Sequence, residues 1–201
     1  MIQVIDSHTC GEPTRVIIKG GPDLGKGPLG ERARLLETEY ADFCRSVLRE
    51  PRGYDAMVGV LLVAPVNMDC LTGAIFFNTS QNLGMCGHAT LGLLVTLYHQ
   101  GQISAGKYDI ETPVGIVSAE LHDANTASVI NVESYRYQSD VVVEVDKFGA
   151  ITGDIAWGGN WFFIVNHSPI AVKSKNISQL LSFASAIKSA LEAHKIKAFD
   201  G

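Results

Sequence analysis

Long apolar runs, paired cysteines and clusters of basic residues are all missing from this 201-residue sequence. Its longest apolar run, residues 58–66, is interrupted by Gly59 and Pro65 and is far too short to cross a bilayer. The first residues carry neither a basic segment nor a small-residue cleavage site, so no export signal is recognisable. We therefore expect a cytoplasmic protein that has no membrane partner.

Positive charge is also scarce, because 21 acidic residues outnumber 16 basic ones and leave a formal net charge of −5. Nucleic acids and anionic membranes are bound through clustered positive charge. The sequence has no such cluster, and nucleic acid is therefore not expected as a partner.

The four cysteines form no CxxC pair and are expected to be reduced thiols, without disulfides or a structural zinc. Cys44 and Cys70 are interpreted as packing residues, since a free cysteine behaves as a small hydrophobic side chain. Cys10 and Cys86 have glycine neighbours, which makes them the two candidates for chemistry.

Strand-like runs bounded by Gly, Pro and Asn predict a sheet-rich first part. They cover residues 3–5, 14–18, 57–63, 73–78, 108–111, 116–121 and 127–132. Residues 29–48 predict a single amphipathic helix, with Arg32 among the charged residues of its solvent face. Residues 87–99 are apolar nearly all round, which is typical of a helix buried in the middle of a domain.

The pattern restarts near residue 141, which indicates an internal repeat. Placing Gly11 on Gly159, an offset of 148 residues, aligns the strand 14–18 with 162–166. The same offset aligns the helix that starts at residue 29 with a second predicted helix, 177–193.

We therefore predict two halves, residues 1–138 and residues 139–201. Under the offset of 148 residues, the counterpart of Cys86 would fall near position 234, beyond the last residue, Gly201. The second half is thus expected to be incomplete, and the chain to be a fragment.

Cys86 stands at the start of the predicted core helix 87–99, where unpaired backbone N–H groups and the helix dipole favour negative charge. We expect the thiol pKa to fall below its free value of about 8.5. The amides of Gly87 and His88 are expected to bind a carboxylate. Such a thiol suits removal of the Cα proton of an amino acid, and inversion requires a second base on the opposite face.

Several alternatives stay open at this point. His88 could orient the substrate or adjust the pKa of the thiol, with its ring hydrogen-bonded to a carboxylate. The alternative is that His88 has only a structural role. Cys86 and His88 are also compatible with a thiol hydrolase, although neighbours at a helix start rarely form the required spatial pair. The polar run 6–12 is more typical of turn capping than of catalysis. The aromatic run 157–163 either walls a small substrate ring or packs between the halves.

Five motifs resemble the proline racemase family, and together they extend over the whole chain. They are Asp-Ser-His-Thr-Cys-Gly-Glu-Pro-Thr-Arg at 6–15, Glu-Pro-Arg-Gly at 50–53, Met-Cys-Gly-His at 85–88, Glu-Thr-Pro-Val-Gly at 111–115 and Gly-Asp-Ile-Ala-Trp-Gly-Gly-Asn-Trp at 153–161. The resemblance implies the α+β fold of diaminopimelate epimerase, in which each of two pseudo-symmetric halves is a mixed or antiparallel sheet wrapped around a central helix. It implies neither a metal nor an organic cofactor.

The resemblance further implies that Cys86 is a catalytic base and that Gly87 and His88 bind the carboxylate of a small-molecule substrate. Residues 11–15 and 157–163 are closer to the 4-hydroxyproline 2-epimerases than to the proline racemases, so hydroxyproline is expected before proline. A homodimer is compatible with the family.

The family's second catalytic cysteine, in an Asp-Arg-Ser-Pro-Cys-Gly-Thr segment, has no counterpart in the sequence, and neither does a nearby substrate-binding aspartate. The chain alone is therefore expected to be inactive. A trans-3-hydroxyproline dehydratase ranks below an epimerase, because these relatives differ at the catalytic positions, whereas Cys86 is present in this sequence. A non-catalytic remnant that binds a small acid stays an alternative.

Overall fold

The computed structural model describes residues 1–196. Its strands are β1 (Gln3–Thr9), β2 (Glu12–Lys19), β3 (Val58–Val63), β4 (Thr72–Phe77), β5 (Asn82–Leu83), β6 (Gly106–Thr112), β7 (Gly115–Asp123), β8 (Thr126–Ile130), β9 (Tyr135–Val145), β10 (Gly149–Trp157) and β11 (Trp161–Val165). Its α-helices are α1 (Leu29–Glu39), α2 (Ala41–Leu48), α3 (Gly87–His99) and α4 (Ile177–Ala193), and a 3-10 turn covers Ser174–Asn176. Over this range, none of the helices is both long and apolar enough to span a membrane.

Contacts between residues divide the chain into two compact units, the first covering Met1–Glu133 and the second beginning at Ser134. The division therefore falls just before β9. The boundary drawn from the sequence, between residues 138 and 139, lies inside that strand. Because β9 pairs along its length with β10, the contacts assign the whole strand to the second unit.

The first unit is a mixed sheet that surrounds α3. Its strand order is β1-β2-β3-β4-β6-β7-β8, with the short β5 paired to β4. Each of the seven strand-like runs in the sequence overlaps one of these strands. Helix α3 contacts β1, β2, β3, β7 and β8, and its Ala89, Leu93 and Leu94 have no exposed surface. The prediction of a core helix at 87–99 is confirmed at both ends.

The single helix predicted over 29–48 is wrong, because Tyr40 (φ −120°) separates α1 from α2. A straight helix of that length would extend for roughly 30 Å, whereas the break lets both helices bury side chains in one apolar cluster. The prediction that Arg32 lies on the solvent face is also wrong, since this residue is only 5% exposed. Its guanidinium donates a hydrogen bond to the carbonyl of Ala64 at 2.7 Å, which partly offsets the cost of burying the charge.

The second unit is an antiparallel sheet in the order β11-β10-β9 with α4 on one face. Its core contains Val143, Val145, Ile151, Phe183, Ile187 and Ala190. The predicted helix 177–193 is confirmed, whereas β9 and β10 were not singled out from the sequence. The chain end, residues 197–201, lies outside the described residues.

Both units contain an antiparallel hairpin followed by a helix. In the first unit β1 and β2 precede α1, and in the second β10 and β11 precede α4. Helices α1 and α4 start at Leu29 and Ile177, which is the spacing that the sequence offset predicted.

Candidate active site

Cys86 is the N-cap residue of α3, with an extended backbone (φ −141°, ψ 111°). Its neighbour Met85 and the first-turn residue Ala89 are both buried in the core of the first unit. The Cys86 carbonyl accepts hydrogen bonds from the Thr90 hydroxyl at 2.8 Å and from the Thr90 amide at 3.0 Å. The main chain that carries the thiol is therefore held in place.

The Cys86 thiol lies 3.4 Å from Nδ1 of His88, and Nε2 of the same ring lies 3.3 Å from the Pro13 carbonyl. Because a carbonyl only accepts, Nε2 must carry the hydrogen, which leaves Nδ1 of a neutral ring as an acceptor for the Cys86 S–H. The expectation that these neighbours would not form a spatial pair is wrong. The expected carboxylate on the ring is replaced by a backbone carbonyl.

The β1–β2 hairpin supports this pair from the side. The Thr9 hydroxyl donates a hydrogen bond to the His88 carbonyl at 3.0 Å. The tight turn that follows uses positive φ angles at Cys10 (50°) and Gly11 (96°), a conformation that glycine adopts without strain. Thr9 and Pro13 were not recognised as partners of His88 in the sequence, since no local pattern links residues so far apart in the chain.

Burial raises the pKa of the Cys86 thiol above its ordinary value, and the charge of Glu12 acts in the same direction. The backbone amides of Ala89 and His88 lower that pKa, but by less. The predicted fall in the pKa is therefore wrong, because the cost of placing a thiolate in a half-buried site outweighs the field of the helix N-terminus. The thiol is protonated near neutral pH.

The space beside Gly87 is open. A Cβ atom built on this residue would have no heavy atom within 4 Å. Neither packing nor a positive φ angle therefore explains a glycine at this position. Open space at the first turn of a helix is where an anionic group reaches backbone N–H groups.

The other three cysteines differ from Cys86 in their surroundings. Cys44 and Cys70 are buried, which confirms that they are packing residues, and burial raises the pKa of Cys44 to about 11. Cys10 is exposed on the hairpin turn. Residues 134–201 contain no cysteine at all.

The polar and aromatic runs have local partners. Asp6 accepts two hydrogen bonds from the Arg15 guanidinium, at 2.7 and 2.6 Å. In the second unit, the rings of Trp157 and Trp161 lie 5.1 Å apart, and Tyr135 and Tyr137 meet Trp161 edge-on.

Across residues 1–196, no group of three or more His, Cys, Asp or Glu side chains is arranged to hold a metal ion.

The first unit is a sheet wrapped around a core helix, with a thiol at the N-terminus of that helix. This is the arrangement that the resemblance to the proline racemase family predicts. The model of the family described as proline racemase matches residues 4–200, and the chain is a member of this family.

Among curated relatives, the 4-hydroxyproline 2-epimerase of Roseibium aggregatum is 58% identical over 200 residues. The proteins of the same name from Ruegeria pomeroyi and Acinetobacter baumannii are 57% and 49% identical. Each match covers 100% of this chain and 64% of the relative, so the chain spans less than two thirds of their length.

Two solved structures share the fold. A probable proline racemase from Agrobacterium radiobacter, with bound carbonate, has a TM-score of 0.89 at 22% identity and covers 95% of this chain and 60% of its own. A hydroxyproline epimerase from Agrobacterium vitis, with bound trans-4-hydroxy-L-proline, has a TM-score of 0.80 at 21% identity and covers 87% of this chain and 55% of its own. The predicted α+β fold is thereby confirmed.

Proposed function

We propose that this chain supplies one side of the active site of a cofactor-independent isomerase that epimerises 4-hydroxyproline at Cα. The observation that carries the proposal is the Cys86 thiol, paired with His88 at 3.4 Å beside the open position of Gly87. Its support is the 58% identity to a 4-hydroxyproline 2-epimerase over 200 residues. The related Agrobacterium vitis structure contains trans-4-hydroxy-L-proline.

In this proposal the substrate carboxylate binds at the N-terminus of α3, beside Gly87 and His88. A second base removes the Cα proton, and the electron pair of the C–H bond is delocalised into the carboxylate. Cys86 then transfers its S–H proton to the opposite face of Cα and is left as a thiolate. In the reverse direction this thiolate is the base.

The raised pKa of the Cys86 thiol gives it the role of proton donor in the resting state. His88 holds the S–H proton through Nδ1 and keeps the thiol oriented, because the Pro13 carbonyl holds its other nitrogen. His88 is thus a positioning residue as well as a candidate carboxylate ligand. The second base is expected outside this chain, since the second unit holds no cysteine.

The reaction is tested by joining the chain to the part of the Roseibium aggregatum relative that it does not cover. We expect the joined protein to exchange the Cα proton of trans-4-hydroxy-L-proline in deuterated water, and Cys86→Ser to abolish the exchange. Proline and trans-3-hydroxy-L-proline are tested in parallel, which separates the racemase and dehydratase alternatives. No exchange with any of these substrates would refute the proposal.

The carboxylate site is tested on the chain itself, by calorimetry with pyrrole-2-carboxylate, a planar mimic of the deprotonated substrate. Gly87→Ala is expected to weaken binding at least about tenfold, because the methyl group fills the open space without touching the protein. Gly30→Ala is the matched control, since a Cβ atom on this helical glycine would lie at an ordinary contact distance of 3.7 Å from the Pro113 carbonyl oxygen. Equal binding by both variants would place the ligand elsewhere.

We also propose a cytoplasmic location and a homodimer. Functional halves at 1–138 and 139–201 are proposed as well. These proposals rest on the family resemblance and on the sequence repeat.

A further inference from the structure

Glu12, the first residue of β2, is a charged side chain that the proposed reaction does not use. It pairs with Thr9 across the two-residue turn of the hairpin, so the two side chains stand on the same face of β1 and β2. On that face the Thr9 hydroxyl donates a hydrogen bond to the His88 carbonyl at 3.0 Å. Glu12 therefore lies on the face of the hairpin that is turned to the start of α3.

The alternation of side chains along β2 places Glu12 in the same way. Glu12 and Thr14 are two residues apart in the strand and share a face. Thr14 has no exposed surface, and a Cβ on Gly92 of α3 would lie 3.0 Å from it. Glu12 lies about 7 Å further along the strand. It lies towards the start of α3, because the carbonyl of the next residue, Pro13, is 3.3 Å from the His88 ring.

The Glu12 carboxylate is available to a ligand. Among residues 1–196 it forms no ion pair or hydrogen bond, and Glu12 is exposed at the end of its strand. Its charge reaches the reacting group, since it raises the pKa of the Cys86 thiol. The other strands bring no charge to this place, because β1 turns Ser7 and Thr9 to α3, and the residues of β3, β7 and β8 in the core around α3 are apolar.

An unpaired carboxylate beside an anion site disfavours a simple anion. A ligand carboxylate at the N-terminus of α3 is repelled by the carboxylate of Glu12. In an α-amino acid the nitrogen is bonded to the carbon that carries the carboxylate, so the positive ammonium stands beside the negative group. The two charges of such a ligand then meet two complementary partners on the protein, the helix N-terminus and Glu12.

We propose that Glu12 binds the ring ammonium of the substrate and makes the site selective for zwitterionic amino acids over simple carboxylic acids. This role rests on the proposed function, because the substrate carboxylate is taken to bind beside Gly87 and His88. Glu12 contributes to binding alone, and the Cα proton is still transferred by Cys86 and the second base.

The test is an NMR titration of the 201-residue chain with two ligands of the same shape. One is trans-4-hydroxy-L-proline. The other is its ring-oxygen analogue, 4-hydroxytetrahydrofuran-2-carboxylate, which keeps the carboxylate and lacks the ammonium. The amide shifts of Gly87 and His88 report the binding of both. We expect the chain to prefer hydroxyproline by at least about tenfold, which corresponds to one charge-assisted hydrogen bond.

Glu12→Gln is expected to remove this preference, because hydroxyproline loses the partner of its ammonium and the analogue loses a repulsive charge. Glu12→Asp keeps the charge and should retain part of the preference. Glu144→Gln is the matched control, since it removes the same charge from an exposed position of β9 in the second unit.

Three results would overturn the role of Glu12. They are equal binding of the two ligands by the unsubstituted chain, a similar loss of both ligands in Glu12→Gln, and loss of the preference in Glu144→Gln. The first comparison does not depend on the folding of any variant. If neither ligand shifted the amides of Gly87 and His88, the carboxylate site of the proposed function would be refuted, and the role of Glu12 with it.

Discussion

Strands β2 and β11 are the second strands of the two repeated hairpins, but β2 lies between β1 and β3, whereas β11 is at the edge of its sheet. Five consecutive residues of β2, from Pro13 to Ile17, are buried, whereas β11 alternates between half-buried and exposed side chains. Yet β11 is the more apolar of the two, since β2 includes Thr14 and Arg15. Burial is thus set by the elements that pack on a strand and not by the composition of the strand alone.

The largest expected difference between the strands follows from shortening one isoleucine in each. Ile17→Ala should lower the free energy of unfolding of the first unit by about 2–5 kcal/mol, because it leaves a cavity in a closed core. Ile164→Ala should cost the second unit about 1 kcal/mol or less, because half of that side chain is already exposed.

Far-UV circular dichroism during urea unfolding measures the first change. Tryptophan fluorescence measures the second, since both tryptophans, Trp157 and Trp161, lie in the second unit. Equal losses at the two positions would show that both strands are covered to the same extent.

Alkaline pH should also destabilise the first unit more than the second, because all four cysteines lie in the first unit. Burial raises the pKa of Cys44 to about 11 and also raises that of Cys86. A raised thiol pKa in the folded state gives stability that is present below the unfolded pKa and lost as the pH rises through the folded value. For Cys44 the loss is on the order of 3 kcal/mol.

The measurement is the urea midpoint of each unit between pH 8 and about 11.5, beyond the folded pKa of Cys44. Cys44→Ala should remove the part of the alkaline loss in the first unit that this thiol causes and leave the second unit unchanged. If the two units lost stability in parallel with and without Cys44, the thiol would not be the cause.

The smallest expected difference in unfolding free energy between the units follows from removing the arginine of one Asp–Arg pair in each unit. Arg15 is 8% exposed and also donates to the carbonyls of Val47 and Arg52. Arg15→Ala should cost about 1.5–3 kcal/mol, because buried acceptors lose a charged donor. Arg136→Ala should have a smaller effect, since the Arg136 side chain is 65% exposed and water can replace it beside Asp154. Unfolding curves of both variants check this, and a larger loss for Arg136→Ala would contradict it.

The local sequence predicted much of the fold. Helices α3 and α4 lie at the predicted ranges, because the apolar pattern of each is carried by its own residues. The break at Tyr40 and the burial of Arg32 were missed, since both depend on a core shared by α1 and α2. Strands β9 and β10 were not singled out, and their pairing is visible only in the sheet.

At the candidate site, the sequence indicated Cys86, Gly87 and His88 and the helix that they begin. It did not indicate that Thr9 and Pro13 hold His88, because those contacts bridge distant parts of the chain. It also gave the wrong direction for the thiol pKa, since the burial of Cys86 depends on surrounding elements.

The sequence by itself determined the family, the motif that carries the thiol and the spacing of the repeat, because these depend on residue identity and order along the chain. The tertiary structure alone decided the direction in which the Cys86 pKa is shifted, the hydrogen-bond partners of His88 and the exposure of Phe162 and Ile164 on β11. Desolvation, hydrogen-bond geometry and surface coverage depend on which distant segments pack together, and no local pattern encodes that.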